Sequence, residues 1–210
     1  PALGIFLMLS AWGLFALVDT SAKWLVLASV STVQVVFMRY AVQFFFTLIG
    51  AAGPFAVTSK MGRKTFLLLS IRAALLVVCT FFNFIAIKYL PLTMTSAIMF
   101  SSPIIVAALS IVFLREVVDI WKILAILLGF LGILVIVRPF DSEVHWAALL
   151  CVHNAIALAV FSLITRQLSG VVTASTMQFF AGGLGTVIFL PLVLIYWESP
   201  ASVSYTHLRA

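Results

Sequence analysis

The feature that most constrains this chain is a series of nearly uninterrupted apolar runs, each about as long as the roughly 20 residues a helix needs to cross a bilayer. Cutting at charge, Pro and Gly gives seven: Leu3 to Leu27, Val33 to Ala52, Thr65 to Tyr89, Leu92 to Leu114, Ile120 to Val137, Trp146 to Leu168 and Thr173 to Trp197. A barrel strand would alternate polar and apolar positions over about ten residues, so continuous runs of twice that length leave helices as the spanning solution. The expected class is an all-α polytopic membrane helix bundle. Composition agrees: 64% of the 210 residues are hydrophobic and 9% charged, too few charges to clothe a soluble domain of this size. The connections, the longest near Gly53 to Lys64 and Arg138 to His145, are of loop length. Any chemistry therefore belongs at membrane depth.

The formal charge of +6 fits basic loops against an anionic cytoplasmic leaflet, and nucleic acid is not an expected partner. Lys60, Arg63, Lys64, Arg115, Lys122 and Arg166 collect on one side of the seven runs. Lys23, Lys88 and Arg138 collect on the other with Asp141 and Glu143, which makes the first side and the N-terminus cytoplasmic. Cys79 and Cys151 sit inside apolar runs and form no C-x-x-C pair. The last residues, Ser204 to Ala210, abandon the preceding composition and resemble a translated sequencing adapter, so the natural protein is expected to continue beyond about Pro200; an ordinary polar tail is the alternative.

Sliding the chain by about 143 residues sets Lys23 and Leu25 on Arg166 and Leu168, Thr32 on Ser175 and Phe37 on Phe180. A repeat offset by five spans inserts upside down, as in many secondary transporters, while chance likeness between apolar helices competes as an explanation. The duplication predicts units at 1–139 and 140–199, the second incomplete, and a polar tail at 200–210.

Several stretches together resemble the EamA-type branch of the drug/metabolite transporter superfamily. They are FALVDTSAKWL at Phe15 to Leu25, VVFMRY at Val35 to Tyr40, AIKYLPL at Ala86 to Leu92, SSPIIVAALS at Ser101 to Ser110, FLRE ending at Glu116, and GFLGILVIVRP at Gly129 to Pro139. The resemblance implies a ten-helix secondary transporter of two inverted five-helix halves with both termini cytoplasmic, of which this chain holds seven helices. It also implies a structural role for Glu116, although Arg115 stands where the family often has glycine.

Ionisable side chains deep in a span mark functional sites by default. Asp19 and Arg39 lie at depths that match to within a few ångström at about 1.5 Å per residue, so they are expected to pair, either as a static tie or within a polar cavity for a charged substrate. Lys23, one turn from Asp19, either snorkels outward or competes for that carboxylate. Arg72, Cys79 and Asn83 share one stripe, with Arg72 open to reading as a cytoplasmic anchor or as part of a pathway. Trp12 shares a face with Asp19, and Gln43 continues the polar face of Arg39. The candidate substrate-binding residues are thus Asp19, Arg39, Asn83, Arg72, Trp12 and Gln43.

Asp19 and His153 are the proton-coupling candidates, although a buried histidine beside Asn154 is more commonly a hydrogen-bonded member of the bundle. Pro103 predicts a kink in the fourth run. Gly129, Gly132 and Gly182, with Ala125, Gln178 and Gly185, read as packing positions. No cofactor and no metal cluster is expected, and the oligomeric state is open. The expected function is alternating-access transport of a small polar or charged metabolite in a bacterial cytoplasmic membrane. A channel is the alternative, and an embedded enzyme is disfavoured because the sequence holds no H-E-x-x-H, no G-x-S-x-G and no paired carboxylates at depth.

Overall fold

The computed structural model describes residues 2–28, 30–50, 61–114, 119–137 and 145–197. Within them the chain forms eight helices: α1 Ala2–Leu27, α2 Thr32–Gly50, α3 Arg63–Tyr89, α4 Leu92–Met99, α5 Ser102–Leu114, α6 Ile120–Val137, α7 Ala147–Leu168 and α8 Ala174–Ile195. The seven apolar runs are present nearly residue for residue, the fourth being divided into α4 and α5. Five stretches, Thr32–Ile49, Arg63–Tyr89, Leu92–Ile111, Ala147–Leu168 and Ala174–Ile195, are long and apolar enough to cross a membrane by length and composition. The polar tail, Glu116, Arg138, Asp141 and Glu143 lie outside the described residues, as do the side chains of Trp12, Lys122 and Ala125.

The division at Phe100 and Ser101 follows from Pro103, which has no N–H to give to the preceding turn. Ser101 N–H reaches back only three residues, to Ile98 O at 3.0 Å, and the Ser101 hydroxyl donates to the same carbonyl at 2.6 Å. Chain reversal between α7 and α8 is equally local. Gly170 takes φ 87, a left-handed conformation that favours glycine just past a helix end, and Thr173 caps α8 by accepting from Thr176 N at 3.3 Å.

Side-chain contacts fix the directions of the helices. Asp19 and Lys23 of α1 meet Asn83 and Leu90 in the same order, so α1 and α3 run parallel. Leu69 packs with Ile164 and Leu168, while Ala86 and Leu90 pack with Ala147 and Cys151, so α3 and α7 are antiparallel. Helices α2 and α8 are also antiparallel, since Gln43 meets Gln178 and Tyr40 meets Gly185. An up-and-down bundle that counts α4 and α5 as one span gives all three relations.

The core is narrow and the outside is greasy. Tyr40, Val36, Phe84 and Ile87 are buried between α2 and α3 with Ala22 of α1 and Phe189 of α8. Large apolar side chains such as Leu17, Phe46, Leu128, Leu149 and Leu194 stand exposed on the outer faces. An apolar surface this extensive has lipid as its solvent. Trp24, Tyr89 and Trp146 are exposed near the ends of α1 and α3 and the start of α7, where aromatic rings favour the interface.

Glycines expected to bring helices together do so in one place and not in another. A Cβ on Gly182 would lie 3.0 Å from the Phe44 backbone, and one on Gly185 would lie 2.4 Å from the Tyr40 ring, so both let α8 sit directly on α2. Gly129 and Gly132 are a correction to the sequence reading. A Cβ on either meets nothing within 4 Å among the described residues, and both positions are exposed.

Candidate functional site

At 100° per residue, α3 presents two buried stripes. Cys79, Phe82 and Ala86 face α7, while Thr80, Phe84 and Ile87 face α1 and α2. Asn83 falls between the stripes and is half-buried in the groove where α1 packs on α3. There its amide Nδ2 donates to Asp19 Oδ1 across 3.4 Å. Asp19 is itself half-buried on α1, so a carboxylate and an amide are held together at membrane depth.

Arg39 of α2 closes the other side. Its guanidinium carbon lies 5.6 Å from the centroid of Phe84 and 5.9 Å from that of Phe15, within cation–π range of both rings. Its charge acts on the Asp19 carboxylate. Among the described residues the two form no direct hydrogen bond or ion pair, so the expected direct pair is replaced by an acid bonded to Asn83 and a cation resting on aromatic faces. Opposite charges thus stand at one level, each open to a further partner.

Lys23 does not bond the Asp19 carboxylate and reaches instead toward the end of its span. Its Nζ donates to Leu90 O at 2.9 Å, tying α1 to the C-cap of α3, where carbonyls lack intrahelical donors and the helix dipole favours a cation. Gln43 is likewise committed elsewhere: its Nε2 donates to Gln178 Oε1 at 2.7 Å and to Gln178 O at 3.2 Å, fastening α2 to α8.

Arg72 is 4% exposed and held by protein groups. Its Nε donates to Thr165 Oγ1 at 2.8 Å and an Nη to Met177 O at 3.3 Å, while the Phe161 ring lies 4.4 Å from its guanidinium carbon. A cation at a helix centre costs about 2.5 to 3.5 kcal/mol on insertion scales. Hydrogen bonds from a charged group, at about 1.5 to 3 kcal/mol each, and a desolvated cation–π contact of about 2 kcal/mol offset that cost without any acid or substrate. The geometry therefore makes Arg72 a bolt between α3, α7 and α8.

His153 is exposed on α7, set edge-on to Phe82 at 5.1 Å with Nδ1 3.5 Å from Asn154 Oδ1. The structure does not bring it to Asp19. Pro103 is exposed at the start of α5, away from the Asp19 groove. A cleft between α5 and α6, lined by Ile104, Ala108, Ile111, Ile123 and Leu127, is wholly apolar and offers nothing to a polar ligand. No group of three or more metal-ligating side chains occurs among the described residues.

Sequence reasoning missed one polar node. The Tyr40 phenol oxygen lies 2.7 Å from Thr80 Oγ1 and 3.0 Å from Leu76 O, which locks α2 to α3 directly beside Arg39. A tyrosine one position from a charged residue in VVFMRY was the available signal.

Comparison with known proteins agrees with this architecture. Residues 2–138 match the EamA-like transporter family. The riboflavin transporter of Vibrio cholerae is 33% identical over 110 residues, covering 52% of this chain and 37% of that protein. An S-adenosylmethionine uptake transporter of Rickettsia felis is 26% identical over 111 residues, covering 53% and 38%. The pseudopaline exporter CntI of Pseudomonas aeruginosa is 29% identical over 182 residues, covering 84% of this chain and 61% of the exporter. The chain thus spans between about a third and three fifths of the length of these curated relatives. No solved structure matches. A match over most of the chain, on a bundle of apolar helices with a polar groove at membrane depth, makes this a multi-pass membrane protein that belongs to the EamA-like transporter family.

Proposed function

We propose that the chain belongs to a secondary transporter that moves a small polar or charged organic metabolite across the membrane by alternating access. The observation that carries this reading is the pairing of Asp19 with Asn83 while Arg39, at the same level, lies on Phe15 and Phe84 and is not bonded to the acid. A static ion pair would have closed the contact. Held apart, the two charges offer a cationic or donor group of the substrate a carboxylate, and an anionic or acceptor group a planar fork of N–H donors. Asp19, Arg39 and Asn83 are the substrate-contact residues in this reading, and Asp19 is also where a coupled proton would bind.

Three further features support it. The relatives are named for transport of riboflavin, S-adenosylmethionine and pseudopaline, all organic metabolites. Helices α2 and α8, which the 143-residue echo equates, pack antiparallel, as an inverted duplication with units at 1–139 and 140–199 requires when its axis passes between them. The distribution of basic residues favours a cytoplasmic N-terminus, and the bacterial relatives favour an inner membrane.

Reconstitution tests this. Proteoliposomes preloaded with unlabelled S-adenosylmethionine or riboflavin should accumulate the same labelled compound transiently above equilibrium, the counterflow of a carrier. Flux that never exceeds equilibrium and does not saturate would support a channel instead.

A further inference from the structure

Asn154 is 0% exposed, yet its Nδ2 has no hydrogen-bond partner among the described residues. Its other groups are placed. The side-chain oxygen lies 3.5 Å from His153 Nδ1, and the backbone carbonyl faces Cys79 Sγ at 3.9 Å. Buried amides are nearly always satisfied, and one that is not forfeits its solvation without return, so it calls for a specific explanation. Packing supplies none. The neighbouring buried positions of α7 are Cys151, Ala155 and Ala157, and an aliphatic side chain at 154 would suit such surroundings better than an amide.

Its place in the bundle suggests the explanation. Asn154 stands on α7 opposite Cys79, and Asn83 follows Cys79 by four positions on α3, one turn or about 6 Å along the helix. Asn83 is half-buried on α3, where it bonds Asp19 of α1. Asn154 is the buried amide of α7, the helix that packs on the Cys79 face of α3.

We infer that Asn154 is a substrate-contact residue whose Nδ2 donates to an oxygen acceptor of the transported molecule: a carbonyl, carboxylate or phosphate. This rests on the proposed role of Asp19 and extends it. The substrate then carries a donor or cationic group toward Asp19 and an acceptor oxygen toward α7, one helical turn deeper. A ligand held only by Asp19 and Arg39 needs no such group on its α7 side.

The test uses Asn154→Leu, close in size and lacking the amide, and Asn154→Ala, with Asp19→Asn as control. Melting of the ligand-free protein and the apparent Kd for S-adenosylmethionine, which carries both a cation and a carboxylate, are measured for each. The inference expects Asn154→Leu to melt at or above the wild-type temperature, because the orphaned donor is gone. Both Asn154 variants should bind the probe about tenfold more weakly, the loss of one hydrogen bond to a charged or polar group. Lower melting of ligand-free Asn154→Leu would mean that the amide is already bonded in the empty protein, by a buried water for example, and would overturn the inference whether or not the probe binds. Wild-type affinity in both Asn154 variants, with affinity lost in Asp19→Asn, would overturn this inference alone. Unchanged affinity in Asp19→Asn would overturn the reading of the groove itself.

Discussion

Arg39 and Arg72 are two arginines at membrane depth, and the bundle treats them differently. Arg72 is buried, spans three helices and has two protein acceptors and a ring face within contact distance. Arg39 is half-buried, rests on two rings at longer range and leaves its fork of donors unengaged by the nearby acid. An intramembrane charge marks a special position but not its purpose. What separates a structural cation from an available one is whether the protein itself satisfies its donors.

The largest effect should come from breaking the satisfied one. Arg72→Ala removes two charged hydrogen bonds and a cation–π contact and should cost about 3 kcal/mol or more of stability, read as a fall in melting temperature in detergent. Arg72→Lys, which lacks the planar fork, should recover only part of it. The converse holds at Arg39. Arg39→Gln should fold with near wild-type melting yet lower the transport rate of a carboxylate-bearing probe by about tenfold to a hundredfold, the equivalent of about 1.4 to 2.7 kcal/mol.

The glycines sharpen the contrast between a packed interior and an open face. Gly185→Ala drives a methyl group into the Tyr40 ring and should destabilise by about 1 to 3 kcal/mol. Gly129→Ala meets no neighbour among the described residues and should change melting by no more than about 0.5 kcal/mol equivalent. A change between these two is expected at Lys23. Replacing it with Met, which keeps the apolar stem, should cost about 1 kcal/mol through the lost contact with Leu90 O. Hydrogen exchange at the α3 C-terminus should rise where the α1 tie is released.

The spans were legible in the sequence because hydropathy, Pro and Gly act locally. The run from Thr65 to Tyr89 is α3 to within two residues at its start, and the residues around Pro103 mark the break between α4 and α5. The matching depths of Asp19 and Arg39 were legible for the same reason, since rise per residue converts sequence offset into height. Azimuth was not. Which neighbour a helix face meets is set by the whole bundle, so nothing in the sequence indicated that Lys23 would reach Leu90, that Gln43 would be taken by Gln178, or that Arg72 would find Thr165. Gly129 and Gly132 failed likewise: a small residue permits close approach without specifying that a helix arrives.

The central claim is that the Asp19 and Arg39 groove carries substrate while Arg72 holds the bundle together. Counterflow of labelled S-adenosylmethionine in proteoliposomes, measured for wild type, Asp19→Asn, Arg39→Gln and Arg72→Lys at equal folded content, tests it most directly. The account predicts saturable counterflow in wild type and Arg72→Lys and its loss in the two groove variants. Counterflow that survives in Asp19→Asn and Arg39→Gln and disappears in Arg72→Lys would contradict it.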